Sequence, residues 1–203
     1  MEQAQDKYRS LLIEIKHRTK VVDAFIFRQA HAVYLPTTTE SVCLQIRKIL
    51  ELIAFGSLIA NLEEFSKQHE KFSKYWNASL MLKDMGRVNP EFFPRPIIQN
   101  PSEEIGIHRK WDDRPDDYLT KDKFVKVYEK CGAILHSDNP FGSKIDYLYY
   151  QSSLPIWRNE LVNLLNAHTI KLVGDKNLYL FQMGSGENNP SYNAFGPVEN
   201  PNT

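Results

Sequence analysis

The stretch IRKILELIAFGSLIANL at residues 46–62 decides the predicted fold, because apolar side chains occupy nearly every side of it. A helix with this composition is surrounded by protein, so we place it at the centre of a helical bundle. The complete predicted helix covers residues 40–67 and starts at a capping box, Thr-Thr-Thr-Glu, at residues 37–40. Within it, Arg47 and Glu51 are four residues apart and can pair on one face.

Four further helices are predicted around this central one. Apolar residues recur at three- and four-residue spacing from Tyr8 to Val33, which predicts one long helix that ends before Pro36. Comparable patterns predict the other three helices at residues 69–85, 120–138 and 144–168. The expected fold is therefore mainly α-helical, a five-helix up-and-down bundle with a small C-terminal β-hairpin.

The segments outside the helices set the expected domain organisation. Residues 1–168 form the predicted helical domain, and residues 87–118, which contain five prolines, are a long irregular insertion in it with one short strand at residues 97–98. Alternating apolar residues on both sides of a Gly-Asp turn predict the β-hairpin appendage at residues 169–183. Residues 184–203 are rich in Gly, Asn and Pro, which is typical of a flexible tail.

Composition excludes several classes of protein. The 203 residues include 25 Lys and Arg and 25 Asp and Glu, and this balance argues against a broad basic surface that binds duplex DNA. The two cysteines have no CxxC spacing, so we expect neither a disulfide framework nor a cysteine zinc site. The sequence also lacks P-loop, GxGxxG and HExxH motifs, and we expect no metal and no cofactor. The longest apolar stretch is too short to span a bilayer, and the polar N-terminus lacks a signal-peptide core. These features predict a cytoplasmic protein that does not enter membranes.

The candidate site lies in EKCGAILHSDNPF at residues 129–141. On a helical wheel, Leu135 belongs to the apolar arc, whereas Lys130 and His136 belong to a stripe that points away from it. Ala133 between them is small and leaves room for a ligand. The alternative interpretation is that His136 caps the last helical carbonyls and that Asn-Pro makes a simple turn.

A basic residue followed at short spacing by His, near the end of a late helix in a bundle, resembles the HEPN superfamily. Those small helical domains are frequently dimeric, and many are metal-independent ribonucleases of toxin and defence systems. His136 matches the family histidine, Lys130 stands where arginine is expected, and Cys131 replaces the usual polar residue. The change from arginine to lysine affects phosphate binding, because lysine cannot make the planar, bidentate contact that arginine makes.

The resemblance implies RNA cleavage through attack of the 2′-hydroxyl group on its phosphate. His136 would transfer protons and Lys130 would offset the developing negative charge, while Asn139 and Arg47 are the predicted substrate-binding residues. The implied partners are a second copy of the chain, RNA, and an antitoxin or other protein. The alternative is a non-catalytic interaction or dimerisation module of the same fold. A third hypothesis is a small-molecule pocket lined by the aromatic residues of 92–111.

Overall fold

The computed structural model describes residues 4–60, 83, 86, 91–104, 109–137, 140–172 and 174–197. Within these ranges the helices are α1 (Ala4–Ile26), α2 (Leu35–Ile59), α3 (Lys121–Ala133) and α4 (Tyr147–Leu165). The strands are β1 (Arg95–Pro101), β2 (Arg109–Asp113), β3 (Ala167–Lys171), β4 (Leu178–Gln182) and β5 (Ser191–Phe195). In this part of the chain, no helix has the length and apolar character needed to cross a membrane.

The five strands form one antiparallel sheet in the order β2-β1-β3-β4-β5, so the prediction of a five-helix bundle with a small hairpin is wrong. The predicted hairpin exists as β3 and β4, with Thr169 opposite Leu180. However, β1 extends the sheet on one side of this hairpin and β5 extends it on the other. The predicted helix at residues 69–85 lies almost entirely outside the described residues.

Strands β1 and β2 occupy the segment that the prolines led us to predict as irregular. Proline removes a backbone donor and is normally found at strand edges. The nitrogen and the carbonyl oxygen of one strand residue point to the same side, so the donor that Pro96 lacks would lie on the β2 side, one residue beyond the last β1–β2 pair, Ile97 with Asp113. The Pro96 carbonyl still accepts a hydrogen bond from the Arg114 amide, at 3.2 Å.

Strand β5 lies within the predicted flexible tail. The ring of Tyr192 packs at 5.3 Å from that of Phe181, measured between centroids. Phe195 makes an edge-on contact at 4.7 Å with Trp111 of β2. Because β2 and β5 are at opposite ends of the strand order, this contact connects the two outer strands of the sheet.

The first predicted helix ends earlier than expected: α1 stops at Ile26, and residues 27–34 connect it to α2. Helix α1 ends in a Schellman motif, in which the amides of Arg28 and Gln29 donate to the carbonyls of Phe25 and Ala24. Arg28 has φ 59°, at the position where glycine is usual. Helix α2 then begins at Leu35, with Pro36 in its first turn. Proline is tolerated there because the first amides of a helix have no helical acceptor.

Helix α2 lies at the centre of the helical layer, as its apolar surface predicted. It packs against α1, α3 and α4 and contributes fully buried residues such as Ile46 and Leu50 to the core. The predicted capping box is wrong, because the helix starts before it and its N-cap, Tyr34, makes no side-chain capping bond. The Thr37 hydroxyl instead donates to the Ala32 carbonyl in the preceding loop.

Candidate functional site

Lys130 and His136 are both exposed at the carboxyl end of α3. The helix begins where its predicted range begins, at Thr120, whose hydroxyl caps it by accepting a hydrogen bond from the Lys123 amide at 3.3 Å. It ends at Ala133, so His136 lies just beyond the last helical turn. The structure therefore brings both predicted catalytic residues to the surface at one end of one helix, and its described part records no direct contact between them.

Leu135 does not face the core, contrary to the helical wheel. After Ala133 the chain tightens into i to i−3 hydrogen bonds, from the Leu135 amide to Gly132 and from the His136 amide to Ala133. This change of period leaves Ile134 only 1% exposed and Leu135 38% exposed. The inward-facing residue at the end of α3 is Ile134.

Tyr149 is a surface residue of this region that the sequence interpretation missed. Its ring is 41% exposed, and the Lys130 ammonium nitrogen lies 5.3 Å from the ring centroid. Edge-on contacts with Tyr150 and Trp157, at 5.4 and 6.2 Å between centroids, hold the ring in place. The Asp146 carboxylate also caps α4 by accepting from the Tyr149 amide at 3.0 Å. The result is a rigid, exposed aromatic surface beside a cation.

A local basic stripe runs along α3, although the net charge of the chain is zero. Lys126 and Lys130 are exposed one turn apart. Lys123 pairs with Glu160, and Lys121 lies 4.4 Å from the centroid of the Phe92 ring. The end of α3 nearest Tyr149 therefore has two lysines whose charges are not neutralised by an ion pair in the described part of the protein.

Arg47 joins α2 to α3. Its guanidinium donates to the Tyr128 carbonyl at 3.1 Å and to the Tyr128 hydroxyl at 2.6 Å, and it lies 3.8 Å from the centroid of the same ring. The predicted pairing with Glu51 is present, at 3.5 Å. Gly132 leaves the space that the guanidinium fills. These contacts explain Arg47 as an interhelical link, while Asn139, the other predicted substrate-binding residue, lies outside the described residues.

Several large apolar side chains in and before α4 are exposed. Phe141 is 96% exposed, and Leu148 precedes Tyr149 on α4 with most of its side chain in solvent. Ile156 is also exposed, seven residues after Tyr149 and hence on the same face of α4.

The chain was compared with models of protein families, with curated proteins and with solved structures, and no match was found. Among the described residues, no three His, Cys, Asp or Glu side chains are grouped so that they could hold a metal ion. The exposed residues at the end of α3 and beside it are Lys126, Lys130, His136 and Tyr149, and we call them the α3-end surface.

Proposed function

We propose that the protein binds single-stranded RNA at the α3-end surface and cleaves it as a metal-independent endoribonuclease of a toxin or defence system. The observation that carries this proposal is the exposed Lys130 and His136 at one helix end, with the ring of Tyr149 beside the lysine. A cytoplasmic location belongs to the proposal, because RNA substrates are present there.

The proposed reaction is an internal transesterification. The 2′-oxygen attacks the adjacent phosphorus, the bond from phosphorus to the 5′-oxygen breaks, and the products are a 2′,3′-cyclic phosphate and a 5′-hydroxyl group. His136 removes the proton from the 2′-hydroxyl or supplies one to the leaving oxygen. Lys130 stabilises the negative charge that develops on the phosphorane oxygens. A second His136, from a symmetric homodimer, serves the other proton transfer.

Binding is supported by the combination of charge and exposed aromatic surface. Lysine side chains attract the phosphate backbone, and an exposed ring stacks with bases of any sequence. Tyr149 is well suited to stacking because Tyr150 and Trp157 already fix its orientation, so little side-chain entropy is lost on binding. Bases in a duplex are not available for such stacking, and we therefore propose a single-stranded substrate.

A second function is favoured by large apolar side chains that are exposed. Phe141, Leu148 and Ile156 are mostly or largely in solvent, and the buried centre of a protein interface is more apolar than the rest of the surface. The alternative proposal is a non-catalytic interaction or dimerisation module, which binds a second copy or an antitoxin-like protein. In this case lysine at position 130 reflects the absence of catalysis.

The test uses a fluorescently labelled single-stranded RNA incubated with the protein in the presence of a metal chelator. We expect cleavage that yields a 2′,3′-cyclic phosphate and disappears when the nucleotide before the scissile phosphate lacks its 2′-hydroxyl group. His136→Ala should abolish cleavage but retain binding, whereas Lys130→Ala should weaken both. The matched controls are His17→Ala and Lys176→Ala, which remove exposed side chains elsewhere.

The two proposed functions give different results in this experiment. Binding without cleavage, unchanged by His136→Ala, would favour a non-catalytic module that contacts RNA. No binding of single-stranded RNA, or equal loss of binding in Lys176→Ala and Lys130→Ala, would refute the α3-end surface as an RNA site. Light scattering of the same samples would then show whether the apolar residues hold two copies together.

A further inference from the structure

A cleft opens between α1 and α4 on a part of the molecule that the proposed RNA chemistry does not use. Its volume is about 280 Å³, and the segment of residues 183–188 closes one side of it. The floor consists of buried aliphatic side chains, namely Ile15, Ile49, Leu161 and Leu165. An apolar floor with a few polar groups at the rim is the usual composition of a small-molecule site, and this volume lies near the lower limit for one.

Lys16 shapes this cleft but is not available to a ligand. Its ammonium group donates to the carbonyls of Met183, Gly184 and Asn188, at 3.0, 2.9 and 2.6 Å. An ammonium group has three N–H donors, so these contacts use all of them. Lys16 therefore fixes the 183–188 segment against α1 and keeps the cleft open.

The rim is formed by two ion pairs that retain unused donors. Lys20 bonds both carboxylate oxygens of Glu187, at 2.7 and 2.6 Å, and its third N–H group has no partner in the described ranges of the chain. Arg158 forms a two-point contact with Asp23 at 2.6 and 2.8 Å, and these hydrogen bonds raise the pKa of Arg158. With one more bond to Asn159, two of the five N–H groups of Arg158 have no partner among the described residues.

The charges around the cleft favour an anion. Lys16, Lys20 and Arg158 supply three positive charges, whereas Asp23 and Glu187 supply two negative ones. The excess is a single positive charge, which suits one carboxylate better than a polyanion such as a nucleotide. The donors of Lys20 and Arg158 are the groups that such a carboxylate can accept from.

We propose that this cleft binds a small monocarboxylic acid with an unbranched hydrocarbon chain. The carboxylate accepts hydrogen bonds from Lys20 and Arg158 at the rim, and the chain covers Ile15, Leu161 and Leu165 on the floor. This site is separate from the proposed RNA function and does not depend on it.

The test is isothermal titration calorimetry of the full chain with octanoate as the probe and octylamine as the matched control. Octylamine has the same hydrocarbon chain and the opposite charge, so we expect it to bind at least about tenfold more weakly. Val162→Phe places a ring at the cleft wall and should reduce octanoate affinity by about tenfold or more. Lys20→Gln should reduce it by about fivefold, the effect of losing one partly exposed ionic contact.

Several results would overturn the proposal. They are the absence of octanoate binding at millimolar concentration, equal binding of octanoate and octylamine, and full binding to a folded Val162→Phe protein. Circular dichroism checks the folding of each variant. If Val162→Phe fails to fold, Lys20→Gln decides the question, because its side chain is partly exposed and its removal leaves the core intact. Unchanged octanoate affinity in Lys20→Gln would then reject the site. Lys176→Ala removes a lysine elsewhere and controls for a general effect of losing one positive charge.

Discussion

The hydroxyl group of Tyr8 lies 2.9 Å from Nε2 of His168, and this bond joins α1 to β3 inside the core. The other ring nitrogen of His168 lies 2.9 Å from the Leu165 carbonyl, which can only accept. Nδ1 therefore carries the proton and donates it, while Tyr8 donates to Nε2. Both nitrogens of the neutral histidine therefore have hydrogen-bond partners, and the ring also stacks on Phe181.

This arrangement predicts loss of stability in mild acid. Burial lowers the pKa of His168 to about 4, and the backbone bond to Leu165 opposes this only in part. The unfolded chain has a histidine pKa of about 6.5, so it binds a proton more readily than the folded protein below that pH. The contribution of His168 is thus complete above about pH 6.5 and is lost as the pH falls towards about 4. We expect the free energy of unfolding to fall by about 2 kcal/mol between about pH 7 and pH 5.

Urea denaturation at a series of pH values measures this effect. His168→Phe removes the titrating group and should flatten the pH dependence over this range, whatever its effect on stability at neutral pH. The parallel variant His17→Phe changes an exposed histidine and should leave the slope as it is in the parent protein. An unchanged slope in His168→Phe would mean that another group causes the acid sensitivity.

The end of α3 predicts a graded series of alanine variants. Ile134→Ala removes a fully buried side chain and should lower the free energy of unfolding by about 2–5 kcal/mol. Leu135→Ala removes a partly exposed one and should cost less than about 1.5 kcal/mol. His136→Ala should cost less still, because it makes no cavity. Urea denaturation checks the order, and a larger loss for Leu135 than for Ile134 would contradict the tightened turn.

Arg47 and Gly132 should be energetically coupled. A β-carbon at position 132 would collide with the Arg47 guanidinium, whose position the two bonds to Tyr128 fix. Gly132→Ala should therefore destabilise the parent protein, although alanine favours a helix by about 1 kcal/mol. In an Arg47→Ala background the collision is absent, and the same change should be neutral or stabilising. A double-mutant cycle in urea measures the coupling, and additive effects would contradict this contact.

The two thiols should be unreactive in the folded protein. Cys43 and Cys131 are fully buried between α2 and α3. The hydrogen bond with Cys43, together with burial, raises the pKa of Cys131, and the thiol rather than the thiolate is then present at neutral pH. A chromogenic disulfide reagent should label neither cysteine until denaturant is added. Rapid labelling of one thiol under native conditions would show that α2 and α3 separate readily.

Local signals in the sequence predicted the elements that begin or end with a common capping residue or turn. Thr120 caps α3 as expected, and the alternation around the Gly-Asp turn predicted β3 and β4. The break after α1 could not be predicted, because Arg28 occupies a left-handed position that normally requires glycine. Only residues 97–98 of β1 were predicted as strand, because Pro96 lacks a backbone donor. That donor would lie beyond the end of the β1–β2 ladder, so its absence leaves the pairing intact.

The candidate site was predictable only where it follows the helical period. The wheel placed Lys130 and His136 on the surface, and both are exposed. It failed for Leu135, because the period changes after Ala133 and nothing in the local sequence marks that change. Tyr149 belongs to another helix, and its position beside Lys130 depends on how α3 and α4 pack.

The late position of β5 in the chain has a consequence for synthesis on the ribosome. The Arg9 side chain donates to the Pro190 carbonyl, and Trp111 needs Phe195 for its ring contact. Helix α1 and the β1–β2 hairpin therefore lack these contacts until Pro190 and Phe195 have been translated. During that interval the exit tunnel releases an amphipathic helix and an incomplete sheet, both of which are ready substrates for a holding chaperone. We expect nascent chains stalled before residue 190 to remain protease-sensitive, and chains whose residue 197 has left the tunnel to become resistant.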